Sequence, residues 1–205
     1  MTGKPCQDRA AGFVRGALAG VVLCDGAGSC AHSERAAQRL MEWIPDYLQI
    51  TFDTLCALPP EECYCTLLFY AAHADGRWLC GHIGDGYIFR IRQDTAVVFS
   101  APENGHAINE TYFLSEPGAA QHLRIRSGEL HEPYAVLLTS DGGGDTLFDR
   151  QQQQPAPAVE RLCDWLTEND EKTVTEALAH VIKEKMIPAT EDDVSVAILY
   201  CGEDE

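Results

Sequence analysis

The chain has 205 residues, 45% of them hydrophobic, enough to bury one substantial core in a single domain spanning 1–205. Its formal charge of −17, from 15 Lys and Arg against 32 Asp and Glu, argues against a general nucleic-acid or anionic-membrane surface, since no basic stripe is present to neutralise phosphates. The sequence carries no run of about 18 apolar residues and no apolar leader, so a cytoplasmic protein is expected, with its nine cysteines reduced rather than paired in a disulfide framework.

The predicted elements alternate between strand and helix. Residues 13–24 read as strand with a glycine-rich break, and Ser33 is the expected N-cap of a helix running to about Leu48, with Ala36, Ala37, Leu40, Met41 and Ile44 on one face. After a loop containing Pro59 and Pro60, residues 64–73 and 77–83 read as strands joined by a turn at Asp75-Gly76. "GHIGDGYIFRIR" continues as strand, Gln93-Asp94 offers a turn, and "TAVVFS" returns, giving an antiparallel meander. Residues 101–121 are too polar and glycine-broken for a core element and read as a flap-like loop. "YAVLLT" is a strand, residues 151–158 a short linker, 159–167 and 173–185 helices, and "DDVSVAILYC" a closing strand.

The chemistry concentrates where strands stop. "VVLC" runs into Asp25-Gly26 and "YAVLLT" into Ser140-Asp141-Gly142, although a buried carboxylate without a partner costs several kcal/mol. A tight turn or a bound cation would each explain one such end. Asp8, Asp85 and the Asp192-Asp193 pair repeat the pattern, and aspartates gathered from separate strands suit hard divalent cations such as Mg²⁺ or Mn²⁺.

Five segments in order, "PCQDRA", "CDGAGSCAHSERAA", "GHIGDGYIFRIR", "LLTSDGGGD" and "EDDVSVAIL", resemble the motifs of the metal-dependent PPM, or type 2C, serine/threonine phosphatases, in wording nearest a bacterial branch. The resemblance covers most of the chain and implies an α/β (α+β) fold, a four-layer α-β-β-α sandwich of two mainly antiparallel sheets. By the same resemblance Asp25 bridges two metals and Gly26 offers its carbonyl to the second. Asp141 and Asp192 complete the first, Asp8 orients water, and Asp85 supports a third, looser metal. Asp193 stands where the family has asparagine, which leaves either member of the pair as the ligand. Gly3 replaces the arginine many members use to hold substrate phosphate, making Lys4 the candidate contact.

The implied activity is hydrolysis of phosphoserine or phosphothreonine in proteins by water activated between two cations. Its expected partners are a phosphoprotein substrate and a partner kinase, with no nucleic acid and no membrane. The alternative is a catalytically silent phosphatase-like module that binds a phosphoprotein. Other residues offer less: His82 is a general acid or a packed histidine, Cys63 and Cys65 lack a second pair at zinc spacing, and Ser140 does not sit in a nucleophile elbow.

Overall fold

The computed structural model describes residues 6–15, 18–44, 63–103 and 111–202. Residues Arg9–Arg15 (β1) and Leu18–Cys24 (β2) form an antiparallel hairpin, so the segment expected as one broken strand is two. Leu67–His73 (β3) and Arg77–Ile83 (β4) follow, and Arg124–Glu129 (β7) completes a five-stranded sheet in the order β1-β2-β3-β4-β7. Tyr87–Arg92 (β5), Thr95–Ser100 (β6), Tyr134–Thr139 (β8) and Val196–Cys201 (β11) form a second sheet, β11-β8-β5-β6.

Both sheets are antiparallel throughout, and alternation of side chains gives each two working faces. Val21, Leu23, Leu68, Tyr70 and Cys80 meet Ile88, Tyr134, Val136, Leu138 and Ala197 between the sheets. Helix Ser33–Trp43 (α1) covers the outer face of the first sheet with the expected stripe, Ala37, Leu40, Met41 and Ile44 packing on Val22, Leu67 and Phe69. Helix Pro157–Glu168 (α3) covers the second, with Val159, Leu162 and Cys163 against Phe89, Ile91 and Leu137. Helix, sheet, sheet, helix is the four-layer sandwich expected from the sequence.

Several local expectations are corrected. Ser33 is the first helical residue, after His32 at the N-cap, and its hydroxyl serves the neighbouring loop. The residues of that predicted helix beyond Ile44 lie outside the described ones. Residues 151–158 are not a linker: Gln154–Pro155 (β10) pairs with Phe148–Asp149 (β9), and Pro157 starts α3, a position where its missing N–H costs nothing. The loop at 101–121 is partly built into the core, since Leu114 and Ala119 are buried against the outer face of the first sheet. The glycine run at 142–144 lies in a short helix, Asp141–Leu147 (α2), that glycine's low helix propensity conceals. Glu171–Val181 (α4) is capped by Asp170, whose Oδ1 accepts from the Thr173 amide at 3.0 Å. Among the described residues no helix is long and apolar enough to cross a membrane.

The registers place Asp8, Asp25, Asp85, Asp141 and the Asp192-Asp193 pair at one end of the sandwich. Arg9 lies opposite Cys24 and Leu67 opposite Ile83, so the entry to β1, the exit of β2 and the exit of β4 coincide. Thr139 pairs with both Tyr87 and Val196, which adds the entry of β5, the exit of β8 and the entry of β11. Asp85 sits where the chain crosses from one sheet to the other, with Gly84 at φ +118° supplying a backbone conformation that side-chain-bearing residues rarely adopt.

Candidate metal centre

Asp25 is held by the strand beside it. Its amide donates to Thr66 Oγ1 at 3.1 Å, its carbonyl accepts from the Thr66 amide at 2.8 Å, and the Ala27 amide donates to the Tyr64 carbonyl at 3.1 Å. A side chain at Gly26 would put its Cβ 2.9 Å from the Gln7 carbonyl oxygen and 3.0 Å from Ser33 Cβ, so this close passage requires glycine. Ser33 Oγ donates to the Ala27 carbonyl at 3.0 Å and accepts from Gln7 Nε2 at 2.7 Å. The loop that carries Asp25 is thereby fixed on both sides.

Asp141 opens α2, and Ser140 just before it stitches β8 to the entry of β11. Ser140 Oγ donates to the Asp193 carbonyl at 3.2 Å and accepts from the Ser195 amide at 3.0 Å. That hydroxyl is committed to structure, in keeping with the absence of a nucleophile elbow. A Cβ at Gly142 would approach the Asp193 carbonyl to 2.5 Å, which explains the glycine after Asp141. Asp85 accepts a hydrogen bond from the Thr111 hydroxyl.

Carboxylate oxygens of Asp25, Asp85 and Asp141 lie within 4.8 Å of one another. They open into a cleft of about 420 Å³ whose described lining holds seven carboxylates, including Asp8, Glu191, Asp192 and Asp193, and no Lys or Arg. Burial first, then the charges of Asp8 and Asp141, pushes Asp25 well above the usual carboxylate range. Burial, then Asp85, pushes Asp141 up to about 6. Asp8 is also raised, chiefly by burial, and among the described residues its Oδ2 is enclosed without a hydrogen-bond partner.

These features fit a hard divalent cation: an all-oxygen donor set, mutual repulsion that a dication would cancel, and a buried carboxylate oxygen still open to a ligand or water. Asp85, expected to support a third, looser ion, has a carboxylate oxygen within 4.8 Å of those of Asp25 and Asp141. Asp192 lines the same cleft, and its charge helps raise Asp141, but it stands outside that group. Asp193 is engaged elsewhere, its Oδ2 accepting from the Gln7 amide at 3.1 Å. Gly3 and Lys4 lie outside the described residues.

His82 is not in the cleft lining. It is buried, with Nδ1 2.8 Å from Ser100 Oγ and 2.9 Å from an Arg124 nitrogen, and burial lowers its pKa to about 3. The packed alternative is therefore the correct one. Asp75 is a turn residue ion-paired to Arg77 at 2.7 Å. Sequence reasoning missed the supports Gln7 and Thr66, because their contact with Asp25 and Gly26 emerges only once β1, β2 and β3 are in register; Glu191 and Phe113 were also missed as lining residues.

The chain matches the protein phosphatase 2C family model over residues 1–57 and 52–183, and it belongs to that family. No curated protein matches in sequence. Among solved structures it is similar to a serine/threonine phosphatase of S. agalactiae, with a TM-score of 0.69 and 14% identity over 99% of this chain and 96% of that one. It is also similar to RsbX in complex with magnesium, with a TM-score of 0.62 and 12% identity over 97% and 89%. PppA of Pseudomonas aeruginosa, a regulatory component of a type VI secretion system, gives a TM-score of 0.57 and 16% identity over 94% and 96%. At these identities the structural likeness establishes the shared fold.

Proposed function

We propose that this chain is a single-domain, metal-dependent phosphatase acting on phosphoserine or phosphothreonine in proteins, in the cytoplasm and opposite a partner kinase. The observation that carries the reading is the convergence of Asp25, Asp85 and Asp141 from three separate strand ends, beside a buried oxygen of Asp8 that has no hydrogen-bond partner among the described residues. Asp25 and the Gly26 carbonyl would hold one Mg²⁺ or Mn²⁺, and Asp25, Asp141 and Asp192 the other, with Asp85 available to a third. Such cations supply positive charge for phosphoryl oxygens and lower the pKa of water.

The protein's own contribution is placement. Thr66 and Gly26 fix the approach of Asp25, Ser140 and Ser195 fix Asp141 relative to the 192–193 pair, and Asp8 offers its open oxygen as acceptor to a water aligned with phosphorus. A turnover assay on p-nitrophenyl phosphate and a phosphothreonine peptide, with and without Mn²⁺, tests the reading. One observation favours a second reading, a phosphoprotein-binding module with little turnover: the described cleft lining provides no cationic side chain to grip the phosphate. That module would show no metal-dependent turnover in the same assay.

A further inference from the structure

The positive charge that the cleft lacks is found along one side of the sandwich. Among the described residues β7 is an edge strand, paired only with β4, and Ile125, Arg126 and Ser127 stand exposed on it. Its backbone therefore presents unpaired donors and acceptors to an added strand, the usual opportunity at a sheet edge. Phe99 belongs to β6, the strand that ends the second sheet among the described residues. Arg126 donates to the Phe99 carbonyl at 2.7 Å, and the guanidinium of Arg90 lies 4.6 Å from the Phe99 ring centre.

The arginines here divide by their partners. Arg92 is paired with Glu132, and Arg124 with Glu103 at 3.3 Å. Among the described residues Arg90 and Arg126 have no carboxylate partner, whereas an Nε enclosed without an acceptor is common to Arg90, Arg92 and Arg124 and does not distinguish them. Two guanidiniums on the Phe99 ring with no carboxylate partner among the described residues are conspicuous in a chain of net charge −17. Carboxylates are their complement, and Val97, 46% exposed opposite Arg90, adds apolar surface beside them.

We propose that the β7 edge, with Arg90 and Arg126, docks an extended acidic segment of the phosphoprotein substrate. This rests on the phosphatase reading for the word substrate, though not for the binding itself. The register gives the spacing. Arg124 lies opposite His82, three residues before Asp85, so the near end of β7 is roughly 10 Å from the cleft and Arg126 two residues further. An extended chain would bring its acidic residues to Arg126 about five positions from the phosphorylated one.

Strand addition supplies sequence-independent hydrogen bonds, and the arginines select the charge. The test is anisotropy of a fluorescein-labelled, unphosphorylated acidic peptide against the full chain in EDTA, at low and high salt, with sedimentation of the protein alone. Saturable, salt-sensitive binding is expected, weakened about tenfold or more by Arg126→Glu and by Arg90→Gln. Arg126→Lys should retain most of it, and circular dichroism should show all variants folded. Turnover of p-nitrophenyl phosphate should be unchanged by Arg126→Glu.

Absence of binding, equal binding by wild type and Arg126→Glu, or a dimer joined through β7 would each overturn the proposal. Binding without turnover would leave docking standing while the phosphatase reading fell. Turnover without binding would do the reverse.

Discussion

The Gln7 amide donates to Asp193 Oδ2 at 3.1 Å, so the entries to β1 and β11 are joined through one of two adjacent carboxylates. An asparagine can accept the same hydrogen bond through its amide oxygen. Asp193→Asn should therefore keep activity within about threefold, whereas Asp193→Ala should lose about 1 to 3 kcal/mol of stability by stranding the amide. Asp192→Asn should lose activity with little change in stability. Urea titration and turnover of the three variants check the assignment, and the opposite ranking of Asp192→Asn and Asp193→Asn would make Asp193 the functional carboxylate.

The crowding of Asp25, Asp85 and Asp141 predicts a stability cost in metal-free protein. Asp25 and Asp141 have folded pKa values above their unfolded ones, so their contribution is present at low pH and is lost as pH rises through the folded values, about 6 for Asp141. Metal-free protein should therefore melt lower at pH 7 than at pH 5, and Mg²⁺ or Mn²⁺ should reverse the loss. Asp25→Asn should raise the metal-free melting temperature by about 2 °C or more while blunting the metal response. Calorimetry in EDTA and in excess metal checks both, and a variant that melts lower in EDTA would contradict the repulsion argument.

Much of this site was legible in the sequence because these aspartates lie at strand ends flanked by apolar or small residues, and a strand that stops on a carboxylate needs a reason. What could not be read was how tightly they gather. Asp85 reaches the Asp25–Asp141 group because Gly84 and Gly86 let the chain switch sheets there, a consequence of pairing between residues far apart in sequence. The helix at Asp141–Leu147 was hidden for a related reason: tertiary packing against Asp193 and Tyr87 demands the glycines that make it look like a loop. Ser33 and Gln7 were likewise invisible as supports, since local propensity assigns serine to a cap and tertiary contact assigns it to the Ala27 loop.

His82 gives an independent prediction away from the cleft. Burial lowers its pKa from 6.5 to about 3, so the unfolded chain takes up a proton that the folded protein refuses. Its contribution is intact above pH 6.5 and is lost progressively as pH falls toward 3. His82→Gln should cost stability at pH 7 yet show a shallower decline through this window. Urea midpoints of variant and wild type across that range check it, and parallel curves would show that His82 protonates freely in the folded state.

Two Asp-Gly pairs separate function from turn geometry. Asp25 stands in the carboxylate group, whereas Asp75 is exposed, accepts from the Arg77 amide at 3.1 Å and closes a hairpin. Asp25→Asn should reduce turnover by about 10²-fold or more, and Asp75→Asn should leave it nearly unchanged. Equal losses at the two positions would break the assignment.

The most direct measurement is initial-rate hydrolysis of a phosphothreonine peptide by chelator-treated wild type and Asp25→Asn protein, with and without added Mn²⁺ or Mg²⁺. The account predicts no turnover in EDTA, full recovery by wild type on metal addition, and little recovery by Asp25→Asn. Undiminished turnover in EDTA, or equal metal-dependent rates for the two proteins, would contradict it.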